Sequence, residues 1–164
     1  MNATRAQLIT TLQQTQSTLT RLTSTLPDSA LDFRPSPDEW SIREILAHLV
    51  DDDMFVMRTR LERLLREDNP SLVPHDEKEW HSQRNTSRDK IDELLSDFAV
   101  QRAASLGIFA FLREEDWTRT GYHPEYGNFT AQEWLAHWAK HDLTHIRQIE
   151  ATLDAYNRQA SESQ

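Results

Sequence analysis

Apolar residues recur at spacings of three and four in four separate stretches of this chain, and that periodicity points to amphipathic helices rather than strands. In the first stretch Leu8, Leu12, Thr15, Leu19, Leu22 and Leu26 share one stripe of a helix from about residue 3 to Leu26, where Pro27 stops it. The second helix starts after Ser41. Ser41 and Glu44 form a capping box, and Trp40 and Ile45 suit a hydrophobic staple across it. It runs to about Glu67, and Asn69-Pro70 ends it. The third helix is expected from Thr86 or Ser87 to about Arg113, with Ile91, Leu94, Leu95, Phe98 and Phe109 on one face. The fourth begins at Thr130, with Glu133 as capping-box partner and Phe129 and Trp134 as the staple, and ends near Tyr156.

The segments between them are polar. The stretch from Pro70 to Asn85 reads as a long crossover with irregular or short helical pieces, and Gly121 to Gly127 reads as a loop. Only 3 glycines occur, which argues against a glycine-rich phosphate loop and against a sheet with many tight turns. A length of 164 residues fits one all-α domain over residues 1–158, with a polar, disordered tail at 159–164.

Charge and cysteine content narrow the function classes. With 27 acidic against 18 basic residues the chain carries net −9, which disfavours nucleic-acid partners. The absence of cysteine excludes disulfides, thiolate metal sites and a cysteine nucleophile. No basic run precedes an apolar stretch at the N-terminus, and no segment reads as a run of about 20 apolar residues. The expectation is a cytoplasmic protein without a membrane partner.

The starts of the second and fourth helices echo each other. Trp40-Ser41-Ile42-Arg43-Glu44-Ile45-Leu46-Ala47-His48 aligns with Phe129-Thr130-Ala131-Gln132-Glu133-Trp134-Leu135-Ala136-His137, and in the same register Asp53 aligns with Asp142. We read the two helices as related halves of a bundle.

Histidines supply the chemistry. His137, His141 and His145 lie four residues apart, on one narrow helix face. Two imidazoles one turn apart can point at one ion, whereas the outer two of three are roughly 12 Å apart along the axis. His141 and His145 with a third ligand from another helix are therefore the more natural set, and His48, on the edge of the matching helix, is the candidate. Asp52, one turn beyond His48, could add an oxygen. Three neutral imidazoles with open positions make a site of catalytic rather than structural type. His137 is placed beside the site rather than in it, and His75, His81 and His123 are read as ordinary loop histidines. Asp53, Asp142 and Arg102 fall on apolar faces. They form either a buried ion pair or a set of acceptors that orient the metal-bound histidines. His141-Asp142-Leu143-Thr144-His145 has Asp where a zinc protease needs a glutamate base, so that reading is rejected.

Trp40-Ser41-x-x-Glu44-x-x-x-His48 with Asp53, then His141-Asp142-x-x-His145 followed by Gln148-Ile149, and the Gly121–Gly127 loop ahead of the last helix, resemble the DinB/YfiT-like superfamily of four-helix bundles over nearly the whole chain. The resemblance implies an up-down-down-up bundle with a long crossover, a homodimer, and a divalent metal, zinc or nickel, on His48, His141 and His145. It also implies thiol-dependent S-transfer or metal-dependent hydrolysis, although no residue here identifies a thiol cofactor. The expected function is a metal-dependent enzyme acting on a small molecule, with a low-molecular-weight thiol as one candidate partner. Asp52 and His137 are its candidate proton-transfer residues. The alternative is a non-catalytic, stress-associated binding or assembly module.

Overall fold

The computed structural model describes residues 3–84, 86 and 89–162. Helix α1 spans Arg5–Thr23 and the one-turn α2 spans Asp28–Leu31. Helix α3 (Ile42–Asp51) continues through a π-helical turn (Asp52–Met57) into α4 (Arg58–Arg66). The crossover carries α5 (Glu77–Gln83), and α6 spans Ile91–Phe111. A short 3-10 helix (Glu114–Thr118) leads into strands β1 (Thr120–His123) and β2 (Gly127–Thr130), and α7 spans Ala131–Glu162.

Four long rods form the bundle: α1, the continuous α3–α4, α6 and α7. Packing joins α1 to α7 and α6, and α3 to α6 and α7. At one end of the core, Leu12 of α1, Leu61 and Leu64 of α4, Phe109 of α6 and Trp134 and Trp138 of α7 cluster. At the other, Leu19 of α1, Ile42 and Ile45 of α3, Leu94 and Phe98 of α6 and Ile149 of α7 do so. The rods therefore run up, down, down and up, and the parallel pair α3–α4 and α6 requires the long crossover.

The starts of α3 and α7 follow their sequence signals. Ser41 Oγ accepts from the Glu44 backbone N–H (3.3 Å) while Glu44 Oε2 accepts from the Ser41 N–H (2.7 Å). Thr130 and Glu133 repeat the exchange at 3.1 and 2.8 Å. The Phe129–Trp134 staple closes with ring centroids 5.5 Å apart. Each cap satisfies N–H groups that would otherwise lack acceptors and stabilises its helix by about 1 kcal/mol.

Other boundaries move. The first helix stops at Thr23, because Pro27 caps the separate α2. The third begins at Ile91, four residues after Ser87, and Ser87 itself lies outside the described residues. The last helix runs on past Tyr156 to Glu162, so residues 159–162 of the expected tail are helical and exposed; residues 163–164 lie outside the described set. The segment read as a Gly121–Gly127 loop is a hairpin, with Thr120 opposite Thr130 and His123 opposite Gly127. Gly127 takes a φ of 73°, which favours glycine. The hairpin also ties down the crossover: Leu72 N–H donates to Tyr122 O (2.8 Å) and Tyr122 N–H to Pro70 O (2.9 Å).

Helix α6 corrects a further expectation. Among the described residues it is long and apolar enough to cross a bilayer by length and composition. Its Arg102, 3% exposed, is instead committed to an ion network inside the bundle, and its Leu94, Leu95 and Phe98 face α1 and α3.

Candidate metal centre

His48 sits near the end of α3, and His141 and His145 sit one turn apart on α7. Their Nε2 atoms converge. That of His48 lies 3.3 Å from that of His141 and 3.1 Å from that of His145. One ligand atom from each of the three falls within 4.8 Å of the others. Two imidazole nitrogens on one tetrahedral ion, each at about 2.0–2.1 Å, stand about 3.3 Å apart, so the spacing matches a shared cation. Hydrogen bonding alone fits less well, because the single proton that His48 Nε2 can carry serves only one of its two neighbours.

Neighbouring groups fix orientation and charge. His145 Nδ1 lies 2.9 Å from Gln148 Oε1; as the donor there, it leaves Nε2 with its lone pair toward the site. Burial pushes His48 down to about 3 and His145 down to about 4, so both are neutral, as ligands must be. Burial opposes charge on His141 too, but the carboxylates of Asp142 and Asp52 outweigh it and push the ring up to about 9. Asp52 accounts for the close contact, with Oδ2 3.2 Å from His141 Nε2 and 3.6 Å from His48 Nε2. The Asp142 oxygen is 3.9 Å from His141 Nδ1, beyond hydrogen-bond reach. Asp52 is 3% exposed; burial alone would raise its pKa, but the hydrogen bond from His141 and the nearby imidazoles hold it below its ordinary value. Its Oδ1 is buried with no hydrogen-bond partner among the described residues.

The π-helical turn bears on this arrangement. It begins at Asp52, the point where consecutive acids face different partners. Asp52 turns to the histidines, and Asp53 turns into the core. There Arg102 Nε donates to Asp53 Oδ2 (2.7 Å), and its Nη1 and Nη2 donate to the two oxygens of Asp142. Arg102 Nη1 also donates to Leu12 O (3.0 Å), Ser105 donates to Asp53, and Thr15 donates to Asp142 at 2.6 Å. Of the two roles open to these acids, pairing with Arg102 is the one with hydrogen-bond geometry. The register that aligned Asp53 with Asp142 is met in space, since both grip one guanidinium.

His137 belongs to neither cluster of candidate ligands. It stacks on Trp134 with ring centroids 4.9 Å apart and tilts against Tyr126. Burial, with His141 and Arg60 nearby, pushes it down to about 4. It lines a cleft whose wall includes Asp52 and His141. Of the three histidines expected to be ordinary loop residues, His75 and His123 also line this cleft. His75 Nε2 is 3.9 Å from Asp52 Oδ1, and His123 is buried in the same cleft. His81 Nε2 lies 3.0 Å from Glu44 Oε1 and its ring is 4.8 Å from that of Trp40, which in turn packs on His48. Glu77 of α5 brings a carboxylate within 4.8 Å of ligand atoms of His48, Asp52 and His141. The sequence offered no periodic signal for Glu77, because the crossover has no long stripe to orient it.

Fold and centre together define a class, the four-helix bundle with a candidate metal site between its second and last rods. The model of the DinB superfamily matches residues 11–149, and the chain belongs to that superfamily. YuaE of Bacillus subtilis, an uncharacterized protein, is 28% identical over 144 residues, covering 81% of this chain and 89% of YuaE. A protein of Oceanobacillus iheyensis, provisionally named a metal-dependent hydrolase, is 29% identical over 127 residues, covering 76% and 73%. The solved structure of YfiT from Bacillus subtilis, described as a probable metal-dependent hydrolase with an unusual four-helix bundle topology, superimposes with a TM-score of 0.85 at 22% identity, covering 95% of this chain and 91% of that one.

Proposed function

We propose that the protein is a metal-dependent enzyme that transfers a small nucleophile, water or a low-molecular-weight thiol, onto a small-molecule electrophile. The observation that carries this reading is the convergence of three Nε2 atoms, at 3.1 and 3.3 Å, beside a cleft open to solvent. The names of the relatives support hydrolysis. An all-imidazole set suits zinc or nickel, and such an ion would act as a Lewis acid that lowers the pKa of the nucleophile. His48, His141 and His145 would hold it. Gln148 keeps His145 in the ligating tautomer. Asp52 would take the proton of the nucleophile, a role supported by its buried Oδ1, which has no hydrogen-bond partner among the described residues, and His137 lines the same cleft. A homodimer belongs to the same reading, and the exposed Val100 and Phe111 on α6 offer it a face.

A second reading rests on Asp52 Oδ2, 3.2 Å from His141 Nε2. As a fourth ligand it would close the site and leave a non-catalytic binding or assembly module. The test is turnover of ester and electrophilic thiol-acceptor panels by zinc- or nickel-loaded protein. Loss of turnover in chelator and in His141→Ala, with recovery on adding metal to the wild type, is the expected result. Metal-loaded protein that turns over neither panel, and whose ion has four protein ligands and no exchangeable position, would establish the second reading.

A further inference from the structure

Two buried residues line the cleft beside the metal centre: among the described residues, one is a cation without an ion-pair partner and the other a neutral donor without an acceptor. The guanidinium of Arg60, on α4, is 9% exposed. Its Nη2 donates to Val73 O (2.9 Å) and the group lies over Trp134 at 5.5 Å from the ring centroid. Among the described residues no carboxylate comes within ion-pair distance of it, and Asp52, Glu125 and Glu77 act on it only from farther off, an uncommon state for a buried arginine. His123, at the end of β1, is 1% exposed. Its Nδ1 accepts from the Glu125 backbone N–H (3.2 Å), so the ring hydrogen sits on Nε2. That Nε2–H is buried and has no partner among the described residues. Burial, with Arg60 nearby, holds His123 neutral. Both residues line the cleft that Asp52 and His141 wall on its inner side.

A buried cation and a buried neutral donor on one cleft call for an acceptor that is anionic and small. Neither a backbone carbonyl nor a neutral amide answers the charge of Arg60. Asp52, Glu77 and Glu125 also line the cleft but act on the guanidinium only from a distance, so the donors not taken by Val73 stay available to something that enters. We propose that Arg60 and His123 form a subsite for a carboxylate group, with the guanidinium fork and the Nε2–H each giving a hydrogen bond to it. That this carboxylate belongs to the substrate of the metal centre rests on the reading of that centre as catalytic; binding of the anion itself does not. On that reading the substrates are small carboxylic acids whose reacting group lies across the cleft from Arg60.

The test is titration of the full-length protein with acetate and with its neutral isostere acetamide, at fixed ionic strength, zinc-loaded and chelator-treated in parallel. The readout is the NMR resonance of the His123 imidazole Nε2–H. The expected result is a saturable shift with acetate in both preparations and none with acetamide. Arg60→Gln should weaken acetate binding roughly tenfold or more, as loss of a charge-assisted pair does. His123→Phe, which keeps the ring volume without the donor, should weaken it severalfold when followed by calorimetry, and it carries the test if Arg60→Gln does not fold. Acetate binding confined to the zinc-loaded form and untouched by Arg60→Gln would place the anion on the metal and overturn the subsite while leaving the metal centre standing. Equal response to acetamide, or tighter binding of inorganic phosphate than of acetate, would overturn it as well. Acetate binding through Arg60 in protein that takes up no zinc would support the subsite and remove the metal reading.

Discussion

Replacing Arg102 with alanine removes the cation from the deeply buried ion network of the bundle. Arg102, Asp53 and Asp142 are 3%, 1% and 0% exposed as side chains, and one guanidinium serves both carboxylates and the Leu12 carbonyl. Removing it leaves two carboxylates with one hydroxyl donor each, Ser105 for Asp53 and Thr15 for Asp142. Removing one partner of a buried pair costs about 3–5 kcal/mol, and two stranded acids place this variant toward the upper end. Against a total stability of about 5–15 kcal/mol, that is a large share. In the wild type burial raises the Asp53 carboxyl, whereas Asp142, despite its burial, is held below its ordinary value chiefly by Arg102. Without the arginine, burial dominates at both, and each binds its proton more tightly folded than unfolded. Such groups favour the folded state at low pH, and that contribution is lost as pH rises through their folded pKa values. The wild-type contribution of Asp142 runs the other way, present above the unfolded carboxylate range and lost only below it. The stability gap between wild type and Arg102→Ala should therefore narrow on acidification from about pH 7 to about pH 5. Urea unfolding followed by circular dichroism, in chelator so that no metal enters the balance, measures both quantities. A gap below about 1 kcal/mol near neutral pH, or one that widens on acidification, would refute the assignment of this network as a buried ion cluster.

Three further outcomes follow from particular contacts. A Cβ on Gly121 would stand 2.5 Å from Leu64 Cδ2 and 3.3 Å from Pro70 O, so Gly121→Ala should cost about 1–3 kcal/mol in thermal or urea unfolding; an unchanged melting temperature would show that the hairpin shifts freely. Gln148→Leu removes the acceptor that orients His145 and should weaken zinc binding about 10- to 100-fold in a chelator competition, with the fold retained; undiminished affinity would separate Gln148 from the site. Thr130→Ala deletes the cap of α7 and should cost about 1 kcal/mol, while a loss under a few tenths would show that Glu133 alone holds the helix start.

What could be read from the chain was local and periodic. Both capping boxes and the Phe129–Trp134 staple are set by residues three to five positions apart, and the helix starts followed. His141 and His145 were legible because a helix fixes their separation, and His48 because it sits on a helix of matching pattern. The hairpin leaves little trace in the sequence, because each strand is only four residues long and its alternation is too brief to read; contacts of Tyr122 with Pro70 and Leu72 tie it to the crossover. The π-helical turn at Asp52 leaves no sequence mark, since one wider turn in the ladder is chosen by what the side chains meet across the bundle. His75, Glu77 and His123 reach the cleft from segments without a stripe, so nothing in their spacing aimed them. The polar residues 159–162 are exposed and carry no helical stripe, yet they extend α7, where each residue adds a hydrogen bond to a helix already nucleated.

The most direct test of the account is the metal content of the purified wild-type protein and of His145→Ala by elemental analysis, with X-ray absorption on whatever ion is found. The account predicts about one equivalent of zinc or nickel per chain, nitrogen ligands at about 2.0–2.1 Å, and loss of the ion in the variant with the helical fold intact. Protein that is metal-free as purified and takes up neither zinc nor nickel on reconstitution, or a variant that keeps its ion, would contradict it.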